Sequence, residues 1–352
     1  MSLILMNDFQ LAYKQFLVDG DFLNLTRHFE RTPPETDAFR VKEATAKLLD
    51  TGVLLIEPDN LAAEPKDYVI SSGIHGNETA PIEIVNQLVS EIILGKLQVK
   101  QRTLFIIGNP VSMNISKRFE VENLNRLFCG KYKDAPQCYE KDRAEKLEQY
   151  VTDFFTCKGS AHSTKYHYDL HTAIRASKYE KFAIYPYQGD KPWDKDQLAF
   201  MHACGVETIL FGHAPSGTFS YFSSATFQAH AFTVELGKVK TFGENDMANF
   251  QATEDNLRQL IQNKPVKVTQ FDNQNFNLFE VLGEITKHSD SFILHIANDV
   301  SNFTDFPVNT LLSEDGEQQY RTKRLGESIV FPNANVANGQ RAGLLVIPSQ
   351  LA

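Results

Sequence analysis

Short apolar runs alternate with amphipathic stretches over the first three quarters of the chain. Apolar runs at residues 53–56, 68–70 and 103–107 are typical of buried strands, because they are short and rich in Val, Ile and Leu. Between the last two runs, apolar residues recur at helical spacing and predict a helix over about 80–96. Pro81 falls in the first turn of that helix, where its missing N–H costs nothing.

The same alternation continues toward residue 263. The pattern predicts strands at 166–170, 182–185, 206–211 and 231–235, and helices at about 142–156, 195–204 and 244–263. Strands that alternate with helices imply an α/β fold, in which a mixed, largely parallel sheet is covered by helices on both faces.

After Lys264-Pro265 the pattern changes. Short apolar or alternating segments follow, separated by Asn, Asp, Ser and Gly, at 266–268, 278–282, 292–296 and 344–347. We therefore expect an α/β domain over residues 1–264 and a smaller β-rich C-terminal domain over residues 265–352.

Composition narrows the function classes. Among 352 residues, 35 Lys and Arg stand against 44 Asp and Glu, for a net charge of −9. Because no run of Lys and Arg is available to neutralise phosphates, we expect no nucleic-acid partner. An anionic substrate would have to be bound by a few placed arginines, since the overall field repels it.

Cysteine usage and the absence of long apolar runs favour a cytoplasmic location. The four cysteines contain no C-x-x-C pair, so reduced thiols are favoured over disulfides or a thiolate zinc site. The apolar segment at residues 2–6 is too brief for a signal peptide, and no apolar run reaches the roughly 18 residues of a membrane-spanning helix. We expect no membrane partner. The sequence leaves a monomer and a homo-oligomer both open.

Metal-ligating residue types follow two of the predicted strands. His75 and Glu78 come after the strand near residue 70, and Asp169 and His171 end the strand at 166–170. Ligand sites in α/β sheets lie at the carboxyl ends of strands. Two histidines and one carboxylate with an open position are the composition of a catalytic zinc site. Spacing alone leaves open that the two histidines are unrelated loop residues. Asp169 could accept the second N–H of His171.

Four motifs occur in order along the chain: His75-Gly76-Asn77-Glu78, Asn123-Leu124-Asn125-Arg126, Asp169-Leu170-His171-Thr172 and Val234-Glu235-Leu236-Gly237. Together they resemble the signature of the succinylglutamate desuccinylase/aspartoacylase family of zinc carboxypeptidase-like hydrolases, and within it the desuccinylase branch. The resemblance spans about residues 68–240, and a β-rich tail is also as expected. It implies that His75, Glu78 and His171 hold one Zn²⁺ per subunit.

The resemblance also implies catalytic roles for two residues. Glu235 would be the general base that takes a proton from water and passes it to the leaving nitrogen. A structural ion pair is the alternative for a carboxylate at this strand end. Arg118 would help the metal to polarise the scissile carbonyl, with a solvated helix face as the alternative.

Three further residues are candidates for substrate binding. By resemblance, Asn125 and Arg126 would hold a substrate carboxylate, a role that suits the planar, two-pronged guanidinium. Arg175 is four residues after His171 and could contact the far carboxylate of the acyl group. The alternative for Arg175 is a structural pairing with an acid such as Glu180.

The implied reaction is hydrolysis of N-succinyl-L-glutamate, a small anionic N-acyl amino acid, to succinate and L-glutamate in arginine breakdown. The alternatives are another deacylase of the aspartoacylase type, a carboxypeptidase, or a non-catalytic module that binds zinc or a dicarboxylate. Aspartoacylases use a C-terminal tyrosine and an arginine shortly before the base. This chain has no tyrosine in 333–340 and no arginine in 219–235, which leaves the partner of a second carboxylate unassigned. Nitrogen and oxygen ligands favour zinc without excluding cobalt or manganese.

Overall fold

The computed structural model describes residues 8–32 and 36–351, so the apolar segment at residues 2–6 lies outside the described part. The strands are β1 (Phe39–Val41), β2 (Ala44–Asp50), β3 (Val53–Pro58), β4 (Lys66–Ser72), β5 (Arg102–Ile107), β6 (Thr164–Ala173), β7 (Phe182–Tyr185), β8 (Thr208–Phe211), β9 (His230–Lys238), β10 (Asn277–Thr286), β11 (Ile293–Leu294), β12 (Thr304–Asp305), β13 (Leu311–Asp315), β14 (Gln318–Arg321), β15 (Ser328–Val330) and β16 (Arg341–Pro348). The α-helices are α1 (Asp8–Asp19), α2 (Phe22–His28), α3 (Thr79–Ile93), α4 (Pro110–Asn114), α5 (Tyr139–Thr156), α6 (Lys195–Ala203), α7 (Phe219–Phe227) and α8 (Gln251–Ile261).

Most strands form one large sheet, in the order β1-β2-β3-β5-β4-β6-β9-β7-β8-β10-β16-β15-β12. Its centre is parallel, because β4 pairs in parallel with β5 and β6, and β6 pairs in parallel with β9. All six residues of β5 are buried, as expected for a strand covered on both faces. The predicted α/β fold with a mixed, helix-covered sheet is confirmed.

Separate apolar cores lie on the two faces of the sheet. On one face α3 contributes Ile82, Val85 and Leu88 to the larger core. On the other face α5 contributes Leu147 and Val151 to a second core. The two layers hold the central strands rigidly, and with them the residues at their carboxyl ends.

The β-rich C-terminal part continues the same sheet. Strand β10 pairs in parallel with β8 and antiparallel with β16, while β11, β13 and β14 form a small separate sheet. An apolar cluster joins Phe182 and Leu210 of the α/β part to Phe279 and Val346 of the C-terminal part. The α/β part and the C-terminal strands therefore share one sheet and one apolar cluster.

Three features differ from the prediction. Residues 266–268 form no strand; Val266 instead packs against the larger core, so its apolar character reflects burial without strand pairing. The long helix predicted over 244–263 is shorter, because α8 begins only at Gln251 after a 3₁₀ turn at Met247–Phe250. Helices α1, α2, α4 and α7 and strands β1 and β2 were not predicted. None of the helices in the described part of the chain combines the length and hydropathy that crossing a membrane requires.

Candidate active site

The loop after β4 carries two of the candidate metal ligands. A Cβ on Gly76 would lie 2.1 Å from the backbone nitrogen of Met113, so only glycine allows the loop to lie against α4. His75 precedes this glycine, and Glu78 is the residue immediately before α3. The positive end of the α3 dipole favours an ionised carboxylate at that position.

The three predicted ligands converge. His75, Glu78 and His171 each offer a ligand atom, and these atoms lie within 4.8 Å of one another. Glu78 Oε1 is 2.9 Å from His75 Nδ1, and Glu78 Oε2 is 2.8 Å from His171 Nδ1. His75 Nδ1 is buried and has no hydrogen-bond partner among the described residues, although Glu78 is so close. An unpaired imidazole nitrogen that faces a carboxylate fits two ligands of one cation.

The other ring nitrogens of the two histidines have fixed partners. His75 Nε2 lies 2.9 Å from the amide oxygen of Asn123, and His171 Nε2 lies 2.9 Å from Asp169 Oδ2. Because an amide oxygen only accepts, His75 carries its proton on Nε2 and keeps the lone pair on Nδ1. The contact of Asp169 with His171 is the one that the sequence spacing suggested.

Asp169 is itself held by a buried chain of polar groups. Ser71 Oγ donates to Asp169 Oδ1 at 2.5 Å and lies 2.8 Å from His167 Nε2. His167 Nδ1 lies 2.7 Å from Ser223 Oγ. These groups fix the orientation of Asp169, and through it the ring of His171.

The pKa values of the three candidate ligands suit the binding of a cation. Burial, and then the charge of Arg118, lower the pKa of His75 to about 4, so its ring is neutral. Burial alone would raise the pKa of Glu78, but the neighbouring imidazoles and the positive charge of Arg118 lower it well below its usual range. Burial opposes a proton on His171, yet the carboxylates of Asp169 and Glu78 raise its pKa well above normal. A divalent ion would displace that proton.

Glu235 lies beside this cluster on the neighbouring strand. It is the direct register partner of His171 across β6 and β9. The side chain is 6% exposed, and Oε2 has no hydrogen-bond partner in the described part of the chain. Burial, and then the charge of Glu78, raise the pKa of Glu235 to about 7. A carboxyl group that titrates near neutrality can both take and return a proton.

Of the two predicted arginines, Arg118 contacts the cluster directly, and Arg126 lies near enough to Arg118 for their charges to interact. Arg118 Nη1 donates to Glu78 Oε1 at 2.5 Å, and its side chain is 30% exposed. Arg126 Nη1 donates to the backbone oxygen of Asn125 at 2.8 Å, and no described carboxylate forms an ion pair with it. Asn125 is buried, and its Oδ1 accepts from the backbone N–H of Phe219 at 2.9 Å. This hydrogen bond connects the loop that carries Asn125 and Arg126 to the start of α7.

Arg175 lies apart from the cluster. Its Nη1 donates to the backbone oxygens of Ala297 at 2.8 Å and Val300 at 3.2 Å. These bonds join the loop after β6 to the C-terminal part. They favour a structural role, formed with backbone carbonyls and without the Glu180 partner considered from the sequence.

Glu140 is a positioning residue that sequence reasoning missed. Its carboxylate is fully buried and accepts from the backbone N–H of Glu120 at 2.7 Å and of Val121 at 3.4 Å. It therefore holds the loop between Arg118 and Asn123. In the sequence Glu140 looks like an ordinary acid in the first turn of α5, so only the fold reveals it.

Comparison with known proteins adds a family context. The profile described as succinylglutamate desuccinylase/aspartoacylase catalytic domain matches residues 64–261, and that of the AstE/AspA barrel-sandwich hybrid domain matches residues 274–349. A relative named succinylglutamate desuccinylase, from Shewanella sp. (strain MR-4), is 46% identical over 95% of this chain and 98% of its own.

Two solved structures of similarly named proteins also match. The one from Vibrio parahaemolyticus has a TM-score of 0.83 and 34% identity, and the match covers 94% of this chain and 95% of that one. The one from Chromobacterium violaceum has a TM-score of 0.80 and 37% identity, with 94% and 98% covered. The similarity thus extends over both the α/β part and the β-rich C-terminal part.

Proposed function

The chain belongs to the succinylglutamate desuccinylase/aspartoacylase family, and from this we propose that it hydrolyses N-succinyl-L-glutamate to succinate and L-glutamate. The observation that carries the proposal is the convergence of His75, Glu78 and His171 beside the buried carboxyl group of Glu235. The substrate is a small anionic metabolite.

His75, Glu78 and His171 would hold one zinc ion per subunit through two nitrogens and one carboxylate, the donor set of catalytic zinc. When bound, zinc supplies a Lewis acid that polarises the carbonyl and makes water more acidic. The neutral ring of His75 and the ionised Glu78 are the forms that ligate a cation.

Glu235 performs the proton transfers. As a carboxylate it removes a proton from the attacking water while the water oxygen bonds to the succinyl carbonyl carbon. It then gives this proton to the amide nitrogen as the C–N bond breaks, and glutamate leaves with its amine. The unpaired Oε2 of Glu235 leaves an acceptor free for that proton.

The arginines orient and stabilise the substrate. Arg118 stands at the edge of the ligand cluster, where its guanidinium stabilises negative charge that develops on the carbonyl oxygen. Arg126 binds a substrate carboxylate, since no carboxylate in the described part of the chain forms an ion pair with it. Asn125 supports this site by fixing the loop that carries Arg126.

A panel of substrates tests the proposal. Turnover of N-succinyl-L-glutamate, N-acetyl-L-aspartate and a dipeptide by the zinc-loaded enzyme is to be compared under one condition. We expect the highest kcat/KM on N-succinyl-L-glutamate. Preference for acetylaspartate would assign an aspartoacylase-type activity, preference for the dipeptide a carboxypeptidase, and no turnover of any would leave a binding module.

The reaction belongs to amino-acid catabolism, and we propose that it serves arginine breakdown through succinylated intermediates. We also propose a cytoplasmic location. All four cysteines are free thiols, as expected in a reducing compartment. Fractionation of the source cells with an antibody to the protein would test the location.

A further inference from the structure

Arg341 is a half-buried arginine that no sequence motif singled out. It is the first residue of β16, in the C-terminal part. Within residues 8–32 and 36–351, no group accepts a hydrogen bond from its guanidinium or forms an ion pair with it. An arginine that is partly desolvated without an ion-paired carboxylate has lost hydration that a bound anion can replace, and the charge of Glu284 offsets only part of this loss.

The strand register places Arg341 on the catalytic face of the sheet. Residues directly opposite each other in neighbouring strands point to the same face, and so do residues two apart within one strand. His171 is opposite Glu235 in β9, and Glu235 is opposite Phe182 in β7. Phe182 is opposite Thr208 in β8. The face of Glu235 therefore extends across β7 and β8.

The same face continues into the C-terminal strands. Leu210, two residues after Thr208, is opposite Phe279 in β10. A register shift follows Val281 on β10, so the alternation of faces is followed along β16. There Phe279 is opposite Pro348 and Glu284 is opposite Leu344, and these two β16 residues point to the same face. A second register shift, between Ile285 and Thr286, skips Ala342 on β16, so parity is followed here along β10, where Thr286 lies two residues after Glu284 and opposite Arg341. The charge of Glu284 acts on Arg341, as expected for side chains on one face. Glu284 and Arg341 thus share the face that carries His171 and Glu235.

The charges that act on Arg126 are consistent with this placement. Burial, and then the positive charges of Arg341 and Arg118, lower the pKa of Arg126 to about 9, although solvent still reaches its side chain. Burial also lowers the pKa of Arg341. Glu284 is the one described carboxylate whose charge offsets both. Arg118 is already paired with Glu78, which leaves Arg126 and Arg341 with Glu284 as their shared acid, and an excess of positive charge that attracts anions.

We propose that Arg341 binds a substrate carboxylate remote from the scissile amide, across the cleft from Arg126, and so selects acyl amino acids that carry more than one carboxylate. This inference rests on the proposed function. The C-terminal strands are then part of the specificity site, since they supply the partner that the tyrosine and arginine of aspartoacylases would otherwise provide. The ligand chemistry is a carboxylate that belongs either to the succinyl group or to the glutamate side chain.

Steady-state kinetics with shortened substrates test the proposal. N-acetyl-L-glutamate lacks the succinyl carboxylate, and N-succinyl-L-2-aminobutyrate lacks the side-chain carboxylate of glutamate. We expect Arg341→Gln to lower kcat/KM on N-succinyl-L-glutamate by about 10- to 100-fold, mainly through KM, as for loss of a charged hydrogen bond. The decrease should disappear with the analogue that lacks the carboxylate bound by Arg341.

Controls separate a specific contact from a change in net charge or in folding. Arg324→Gln removes a positive charge from an exposed position in the same part of the chain and should leave all three substrates unaffected. Arg341→Lys keeps the charge and should restore part of the affinity. Thermal unfolding of each variant shows that the fold is intact.

Two results would overturn the proposal. One is unchanged kcat/KM for Arg341→Gln on N-succinyl-L-glutamate, and the other is an equal decrease on all three substrates. Both results can be interpreted only if the wild-type enzyme hydrolyses N-succinyl-L-glutamate. If the wild type fails to do so, the proposed function itself is wrong, which is a distinguishable outcome.

Discussion

The two sides of the active cleft differ in how far the chain satisfies its own polar groups. On the metal side, His75, Glu78 and His171 are at most 2% exposed, and each contacts another polar group. On the arginine side, Arg126 has only a backbone partner and Arg341 has none within the described ranges. The buried cluster suits a small cation, as proposed, and the unpaired guanidinium groups suit an anion.

This difference separates chemistry from recognition. A rigid, buried cluster positions the reacting atoms within narrow limits. The free-energy cost of burying its polar groups is offset by apolar packing on both faces of the sheet. Open guanidinium groups bind a ligand that must enter and leave, so they retain unsatisfied donors until it arrives. Changes on the metal side should therefore affect turnover, and changes on the arginine side should affect KM and substrate preference.

The largest expected effect belongs to the base on the metal side. Glu235→Gln keeps the size of the side chain but cannot take a proton. We expect kcat to fall by about 10²–10⁴-fold while the zinc content stays unchanged. Turnover measured beside metal analysis checks this. Near-normal turnover would remove Glu235 from the mechanism.

A smaller effect is expected from the support of a ligand. Asp169→Asn replaces the carboxylate that accepts from His171 Nε2, so the ring loses its charged partner. We expect the zinc affinity to fall by about 10- to 100-fold, measured by competition with a chelator. Asp153→Asn, an exposed position on α5, is the matched control. Equal affinities for the two variants would show that Asp169 does not support the site.

The pH profile sharpens the role of Glu235 further. Burial and Glu78 raise its pKa from 4.5 to about 7, and the charge of a bound cation acts in the opposite direction. The base works as the carboxylate, so kcat/KM should decrease as pH falls through this pKa, by about tenfold per pH unit. We expect this acid limb between pH 4.5 and 7 in the wild type. The same limb in Glu235→Gln would assign it to another group.

The smallest effect is expected where an arginine is already occupied. Arg175 donates to the backbone oxygens of Ala297 and Val300, so it has little left for a substrate. Arg175→Gln should lower the free energy of unfolding by about 1 kcal/mol and leave KM within about twofold. Chemical denaturation and kinetics measure the two quantities. A large increase in KM would restore the substrate role considered from the sequence.

The cluster of candidate metal ligands could be predicted from sequence because its residues lie at short spacings or directly at strand ends. Parallel strands place their carboxyl ends at one edge, and the H-x-x-E spacing of His75 and Glu78 survives in the folded loop. The ordered motifs supplied the identity of the distant partners. The fold class followed from alternating strands and helices, whereas residues 266–268 misled because Val266 is partly buried against the core without strand pairing.

The position of Arg341 could not be predicted from the sequence, because it depends on how β10 and β16 pair. The β10–β16 pairing contains register shifts near Val281 and Ile285. A shift of one residue moves a side chain to the opposite face of a sheet, so the sequence alone cannot place Arg341. Glu140 was missed for a related reason, since its role depends on a loop that only the tertiary structure brings to it.

The central claim is that His75, Glu78 and His171 hold one ion beside Glu235. Metal analysis of the wild type, Glu235→Gln and Glu78→Gln after dialysis against zinc-free buffer tests it most directly, with circular dichroism to verify folding. We predict about one zinc per chain in the first two proteins and far less in Glu78→Gln, which should also lose activity. A folded Glu78→Gln variant that retains a full equivalent of zinc and normal turnover would contradict the account.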